Sequence, residues 1–456
     1  MMPDVLALLG DSATLAHRPA FRVEPADSAA IRAYHALRTE VFVHEQGLFD
    51  AHDLDERDAD PRTVVLVARD REGTVIGGVR LGPATAEDVG WWLGGRLVVH
   101  PACRGRVGPA LVRAACAYAE NAGVLRFEAT VQARNERLFT RLAWDRVRPV
   151  TVAGTPHVLM RYRIDRIAAL AHAAKSDLGP LLSGMTGVPG FVGDDGVPIP
   201  GSDIVAACDA ILPSMVERDP DWAGWCAVLV NVNDLAAMGA GPVGLLDALG
   251  ARDASFASRV LGGLRRASQA YDVPVLGGHT QLGVPAALAV TALGRTEFPV
   301  PGGGGRPGQR VRLTADLGGR WRPGYAGRQW DSTTSRRTPE LRAMLTAVAR
   351  ARPAAAKDVS MAGIAGTLGM LAEASGCGAV LDVAAVPRPR GASVGDWLTC
   401  FPGYAMLTAG PDELDAGPAT SAECGELVAG RGVVLRWPDG EQTPVIAAGV
   451  TGLGIS

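Results

Sequence analysis

The chain has 456 residues, of which 47% are apolar and only 5% aromatic, with 57 glycines and a formal net charge of −3. At roughly 150 residues per domain this is about three domains, and the small-residue composition suits a tightly packed α/β or α+β enzyme better than an all-β module. The charge balance excludes bulk attraction to nucleic acid or anionic membrane, and no apolar stretch approaches the roughly 20 residues of a membrane helix. Seven scattered cysteines (Cys103, Cys116, Cys208, Cys226, Cys377, Cys400 and Cys424), without a C-x-x-C pair, read as reduced thiols of a cytoplasmic protein. The opening "VLALLG" follows acidic Asp4 and is too short for a signal peptide.

In chain order, "AIRAYHALRTEVFV" has a helical pattern, although its last residues with His44 also read as the strand-like "VFVH". "RTVVLVARD" and "TVIGGVRLG" are strands joined by a hairpin-like turn, and "GGRLVVHP" is another. A helix "PALVRAACAYAENAG" ends at Gly123, followed by strand "LRFEATVQ", the short helix "RNERLFTRLAW" and a closing strand "HVLMRYRI". This first part, residues 1–165, is a mixed sheet with helices. Next come helix "DRIAALAHAAKSDLGPLL", strand "IVAACDAIL", and "NVNDLAAMGAGPVGLLDAL", which reads as a helix with a Gly-Pro break. Helix "SFASRVLGGLRRASQAYDV", "PVLGGHT" and strand "AALAVTALGR" complete residues 166–300. The glycine run in "PVPGGGGRPGQ" reads as a connecting loop or a phosphate cradle. The last part, 301–456, contains strands "RVRLTADLGG", "GAVLDVAAV", "YAMLTAG" and "TPVIAAGVTG" around helix "AGIAGTLGMLAEASG". Between them, cationic "RWRPGYAGRQWDSTTSRRTPE" reads either as an exposed insertion or as a lid over an anionic ligand.

"LVVHPACRGRVGPALVRAA" is a strand, a basic glycine turn and a helix. A helix start presents unpaired N–H groups that attract phosphate; Arg104 and Arg106 add charge, and Gly105 and Gly108 allow close backbone approach. The segment resembles the acetyl-CoA pyrophosphate loop of GNAT-type acyltransferases, with Gly108-Pro109-Ala110 matching the end of that motif and Gly105 standing at its first position. The resemblance covers about residues 20–165. It implies that Leu97, Val99, Arg104, Gly105, Arg106, Gly108, Ala110 and Asn135 lie along acetyl-CoA, and that an amine is acylated. The proton must go to a base: Glu45, or the run Asp53, Asp55, Glu56 and Asp58. The tyrosine that many relatives use as acid falls at Thr140.

In the second part, "FVGDDGVPI" carries Asp194 and Asp195, "IVAACDAIL" carries Asp209, and the asparagine-rich stretch carries Asn231, Asn233 and Asp234. Carboxylates in apolar surroundings are costly unless paired or metal-bound, and such a set suits Mg²⁺ bridging to phosphates. Asn233 is equally suited to cap a helix, and Asp195 to a turn. The order "GDD", "D-x-I", "NVNDLAAMGA", "GGHT" resembles the AIR synthase (PurM-like) superfamily, which includes thiamine-monophosphate kinase. The later "KDVSMAGIAGTLGMLAEASGCGAVLD" and "FPGYAMLTAG" resemble its second domain, so coverage is about 166–456. The resemblance implies a two-domain PurM-like α/β unit and a homodimer. It implies metal ligands Asp194, Asp195, Asp209 and Asp234, and places Asn231, Gly277, Gly278, Thr280 and Lys175 near ATP. The asparagines and Asp234 would stand at a helix mouth. His279 replaces the aspartate of "GGDT" and is an acid–base candidate; Met361 stands where kinase members carry aspartate.

The fusion resembles the pairing of a nitrogen-starvation-type acetyltransferase with an AIR synthase-related protein, usually met in nitrilase-linked gene clusters. This implies a bifunctional enzyme using acetyl-CoA, ATP and Mg²⁺ on small amine or amide metabolites. The alternatives are a nucleotide-binding sensor or scaffold, and an acetyltransferase carried on a dimerisation platform.

Overall fold

The computed structural model describes residues 20–185, 187–410 and 414–454; the opening apolar run lies outside them. The chain divides into two compact units, with the boundary between Ile164 and Asp165. No helix among the described residues is long and apolar enough to cross a membrane.

The first unit is built on a seven-stranded sheet. Its order is Phe21–Pro25, Val64–Asp70, Val75–Pro83, Trp91–Val99, Arg126–Gln132, Thr155–Tyr162 and Trp144–Val152. All neighbours are antiparallel except Trp91–Val99 and Arg126–Gln132. Helix Val107–Asn121 buries Leu111, Val112, Ala115 and Ala119 into a core with Leu81, Phe127 and Trp144. Its apolar residues recur at the three-to-four spacing of one helix face. Helix Ser28–Arg38 starts at Asp27, whose carboxylate accepts the Ala30 amide. The chain then continues as a π-helical turn, Thr39–Glu45, so "VFVH" is helical and not a strand.

The second unit contains a five-stranded sheet in the order Val275–Leu282, Gly241–Ala251, Ala287–Arg295, Ile204–Ile211 and Val197–Pro198. One face is covered by helices Pro220–Ala237 and Ala254–Tyr271, which bury Val205, Ala207, Leu245, Leu249, Leu288 and Val290. A seven-stranded sheet follows, in the order Ala355–Asp358, Ala405–Ala409, Arg310–Ala315, Thr420–Val428, Gly378–Asp382, Val433–Arg436 and Gln442–Ile446. Helix Gly363–Ala374 is buried almost throughout.

Two expectations change here. Asn231, Asn233 and Asp234 belong to the last turns of helix Pro220–Ala237, not to a helix mouth, and the helix is capped at its start by Asp219. Gly239, at φ +66°, ends it, and the apolar run that follows is strand Gly241–Ala251. The basic aromatic segment is neither an exposed insertion nor a free lid. Trp330 is buried, donates from its indole to the Gly318 carbonyl and stacks edge-on against Trp397. Arg322 lies over Trp222 and pairs with Asp219, and Arg336 pairs with buried Asp316.

Candidate active sites

In the first unit, strands Trp91–Val99 and Arg126–Gln132 are paired only from Trp91–Arg126 to Gly94–Ala129. Beyond that point they separate. The separation starts at a bulge where Arg96 takes φ +54°, a left-handed conformation that is costly for a side chain with a Cβ. Buried Tyr34 holds the bulge by donating its hydroxyl to the Arg96 carbonyl at 2.7 Å. A cavity of about 790 Å³ opens there, lined by Gly95, Leu97 and Val99 from one strand and Thr130 and Gln132 from the other. Strand edges that part in this way offer backbone donors and acceptors to an extended, amide-bearing ligand.

Arg104, Gly105, Gly108 and Asn135 line the same cavity. Gly105 sits at φ +115° just before helix Val107–Asn121, whose first amides face outward from the helix. Arg106 and Ala110 are not among the lining residues, and the Ala110 amide is already taken by the Arg106 carbonyl. Glu45 lines the cavity with both carboxylate oxygens on Arg104, at 2.6 and 2.7 Å. His157, which sequence reasoning took as an ordinary strand residue, is a further lining group; its Nδ1 lies 2.8 Å from the Thr155 carbonyl. Thr140 donates to its own helix carbonyl at Glu136.

The three aspartates of the acidic run are not open to an ammonium group, and Glu56 is exposed outside the ring they form. Arg38, wholly buried, pairs with Asp53 at 2.7 Å and Asp58 at 2.6 Å. Arg80 pairs with Asp55 and Asp58, and Arg96 with Asp53 and Asp55. Each arginine bridges two aspartates and each aspartate two arginines, so the ring is closed and neutral. Burial pushes the Asp58 carboxyl up, but hydrogen bonds from Arg38 and the Asp55 amide, with the charge of Arg80, bring it well below the usual range.

The second unit holds a charged cluster of the opposite kind. Carboxylate oxygens of Asp195, Asp234 and Asp358 lie within 4.8 Å of one another. Asp234 comes from the end of helix Pro220–Ala237 and Asp358 from the end of strand Ala355–Asp358. Lys357, 2% exposed, donates to the Gly193 carbonyl at 3.0 Å and lies 3.4 and 3.3 Å from Asp194 and Asp195. Asp194 also accepts the Gly302 amide at 2.8 Å. A Cβ on Gly302 would meet the Asp194 carboxylate at 2.4 Å, so the glycine run closes on the acidic turn instead of merely connecting. Asp209 and Lys175 are near enough to act by charge on the cluster. Burial first, and the neighbouring carboxylates second, push Asp234 and Asp358 well above the usual carboxylate range. Nearby, Asn231 and Asn233 each spend the amide nitrogen on a backbone carbonyl and leave a buried oxygen without a partner among the described residues. Hard oxygen donors with surplus negative charge fit a divalent cation.

A family model for AIR synthase related proteins matches residues 193–296 with its N-terminal domain and 306–437 with its C-terminal domain; a GNAT acetyltransferase family model matches 29–143. An uncharacterized protein of Synechocystis sp. is 38% identical over 223 residues, 47% of this chain and 69% of that protein. The chain is an AIR synthase related protein fused to a GNAT-family domain. A thiamine-monophosphate kinase of Synechococcus elongatus is 38% identical over 112 residues, 22% of this chain and 34% of that kinase. Among solved structures, AaThiL complexed with AMPPCP and TMP is 22% identical, covers 59% of this chain and 93% of its own, and superposes with a TM-score of 0.45.

Within the AIR synthase related unit, the structure brings Asp195 and Asp234 together, sets Asp194 beside them, and places Asp209 and Lys175 at the margin. It adds Lys357 and Asp358, which sequence reasoning missed although "KDVS" puts a buried lysine and aspartate side by side. Asp358 supplies a carboxylate three residues before exposed Met361. Gly277, Gly278, His279 and Thr280 lie apart, on the exposed edge strand Val275–Leu282.

Proposed function

We propose that the chain is a bifunctional enzyme. The first unit acetylates an amine from acetyl-CoA; the second binds Mg-ATP and activates a small amide-, carbamoyl- or phosphate-bearing metabolite. The observation that carries the second half is the carboxylate cluster of Asp195, Asp234 and Asp358, only partly compensated by lysine, beside asparagine oxygens unpartnered among the described residues. These three aspartates would hold the ion, and Asp194 and Asp209 complete the acidic lining. Lys357 fixes the acidic turn, while Lys175 is set to meet a phosphate. Bound magnesium supplies charge neutralisation for phosphoryl transfer, and the protein supplies position.

In the first unit, the parted strands suit the amide-bearing arm of acetyl-CoA, with Leu97 and Val99 along it and the Arg104–Gly108 turn at the phosphates. Arg106 lends charge from outside the cavity lining. The amine nitrogen attacks the thioester carbonyl carbon, the carbon–sulfur bond breaks, and coenzyme A leaves as a thiolate that takes a proton. Glu45 and His157 are the cavity groups able to accept the ammonium proton; Glu45→Gln and His157→Ala distinguish them by which variant loses rate at neutral pH and recovers it as rising pH deprotonates the amine in solution.

We also propose a homodimer. The face of the five-stranded sheet opposite its helices carries Leu246, Ala248, Ala289 and Thr291 in register with Cys208, Ala210 and His279. Leu246 on this face is 41% exposed, and a bare apolar face of this kind marks an association surface. It favours the dimerisation-platform reading if ATP does not bind. Gly277, Gly278, His279 and Thr280 then act at the nucleotide, with His279 as acid–base group, only when a second copy covers that edge.

The first test is calorimetry of ATP, with and without Mg²⁺, on the wild type and Asp234→Ala. The expected result is magnesium-dependent binding weakened at least about 100-fold in the variant. A folded wild type that ignores ATP would remove the kinase-like reading.

A further inference from the structure

Beside the closed ring of the first unit stands a further cation, Arg57. Arg57 sits on the short helix Glu56–Ala59, flanked by ring members Asp55 and Asp58, and lines the same cavity. Its guanidinium makes no hydrogen bond or ion pair among the described residues. The nearby carboxylates are engaged elsewhere: Asp55 and Asp58 by two arginines each, and Asp60 by Arg62 at 2.6 Å. Burial first, and the positive charge of Arg80 second, make the Arg57 cation less favourable than in water, a cost that an incoming anion reverses.

Its position separates it from the coenzyme phosphates. Ring member Arg80, which lines the cavity with Arg57 and acts on it by charge, pairs in register with Gly95, next to the Arg96 bulge. The Arg104–Gly108 turn follows the far end of that strand, after Val99. Arg57 therefore belongs to the part of the cavity that the thioester end and the acceptor would share.

Resting on the acetyltransferase reading above, we infer that the acceptor amine carries a carboxylate and that Arg57 binds it, which makes amino acids the substrate class. A guanidinium matches a carboxylate with two parallel hydrogen bonds. The carboxylate is unchanged in the reaction; it orients the amine toward the thioester. The rigid ring, in which Asp55 and Asp58 form the capping box at the start of the helix, fixes where that carboxylate must sit.

The test uses the full chain, acetyl-CoA and matched pairs that differ only in the carboxylate: glycine and methylamine, L-alanine and ethylamine, L-lysine and cadaverine. Thiol release is followed. The acid is expected to outpace its amine in at least one pair, and the ratio of their kcat/KM values is expected to fall at least about tenfold in Arg57→Ala, with partial recovery in Arg57→Lys. Amines that match or outpace their acids in every productive pair overturn the inference and leave the transferase reading standing. If acetyl-CoA binds but no pair releases thiol, phenylglyoxal modification of Arg57, followed by mass spectrometry, decides. Protection by the acids and not the amines supports the inference, and equal labelling overturns it. Failure of the full chain to bind acetyl-CoA in calorimetry overturns the transferase reading itself.

Discussion

The two units each bury a cluster of acidic and basic side chains, and the two clusters are balanced in opposite ways. In the GNAT-family unit three arginines and three aspartates close a ring in which every charge has two partners. In the AIR synthase related unit Asp194, Asp195, Asp209, Asp234 and Asp358 face, among the described residues, only Lys175 and Lys357 as cations. A compensated cluster is architecture: it pins the acidic loop and the Arg96 bulge and leaves no site for a further ion. A deficient cluster requires protons or a cation. Residue type alone does not separate the two, because both are runs of aspartate near apolar segments.

The sharpest way to break this comparison is to remove one cation from each cluster. Arg38→Met takes from Asp53 and Asp58 their buried partner, leaving each a single arginine, and is expected to destabilise the first unit by about 3 kcal/mol, read by hydrogen exchange of residues 20–164 in the full chain. Lys357→Met strands Asp194 and Asp195 and is expected to cost about 3 kcal/mol in metal-free protein. The loss should be partly recovered by millimolar Mg²⁺, whereas Arg38→Met should show no magnesium response. Identical magnesium behaviour of the two variants would erase the distinction between ring and site.

Removing an anion should give opposite signs. Asp53→Asn breaks a ring pair and destabilises. Asp234→Asn relieves repulsion and should stabilise the metal-free second unit at pH 7–8 by on the order of 1 kcal/mol. The sign follows from the raised folded-state pKa values of Asp234 and Asp358. Their unfavourable contribution is absent below the unfolded value and grows as pH rises through it toward the folded one. Asp234→Asn should therefore help little near pH 4 and most above neutrality, in thermal unfolding without metal.

The sequence made much of this fold legible and little of the balance. The hairpin of "RTVVLVARD" and "TVIGGVRLG" and the helix after the basic turn carry periodicity and turn chemistry, which are local signals. Strand Trp144–Val152 escaped because "WDRVRPVTV" alternates around charged residues and a proline at a sheet edge. Strand Gly241–Ala251 read as helix because a continuous apolar run has no decisive period. The β-branched "VFVH" suggested a strand, yet it continues helix Ser28–Arg38 as a π-turn. The ring was invisible because its arginines stand on a helix and two strands, far apart in sequence from the acidic loop they close on. Asp358 was hidden for the same reason: only the packing of strand Ala355–Asp358 against helix Pro220–Ala237 brings it to Asp234.

The smallest expected effect concerns the acid side of the ring. Asp55 and Asp58 are held below the usual carboxylate range despite their burial. A depressed folded-state pKa contributes stability that is complete above the unfolded value, near 4, and is lost as pH falls through the folded one. Hydrogen exchange of the first unit should therefore stay constant from pH 7 to about 5, after correction for intrinsic rates, and accelerate only as pH drops below about 4. The second unit, freed of carboxylate repulsion over the same range, should gain protection between pH 7 and 5. Parallel loss in both units would mean that the deficient cluster is already neutralised by groups other than a bound cation, and would return its aspartates to the class of paired, structural charges.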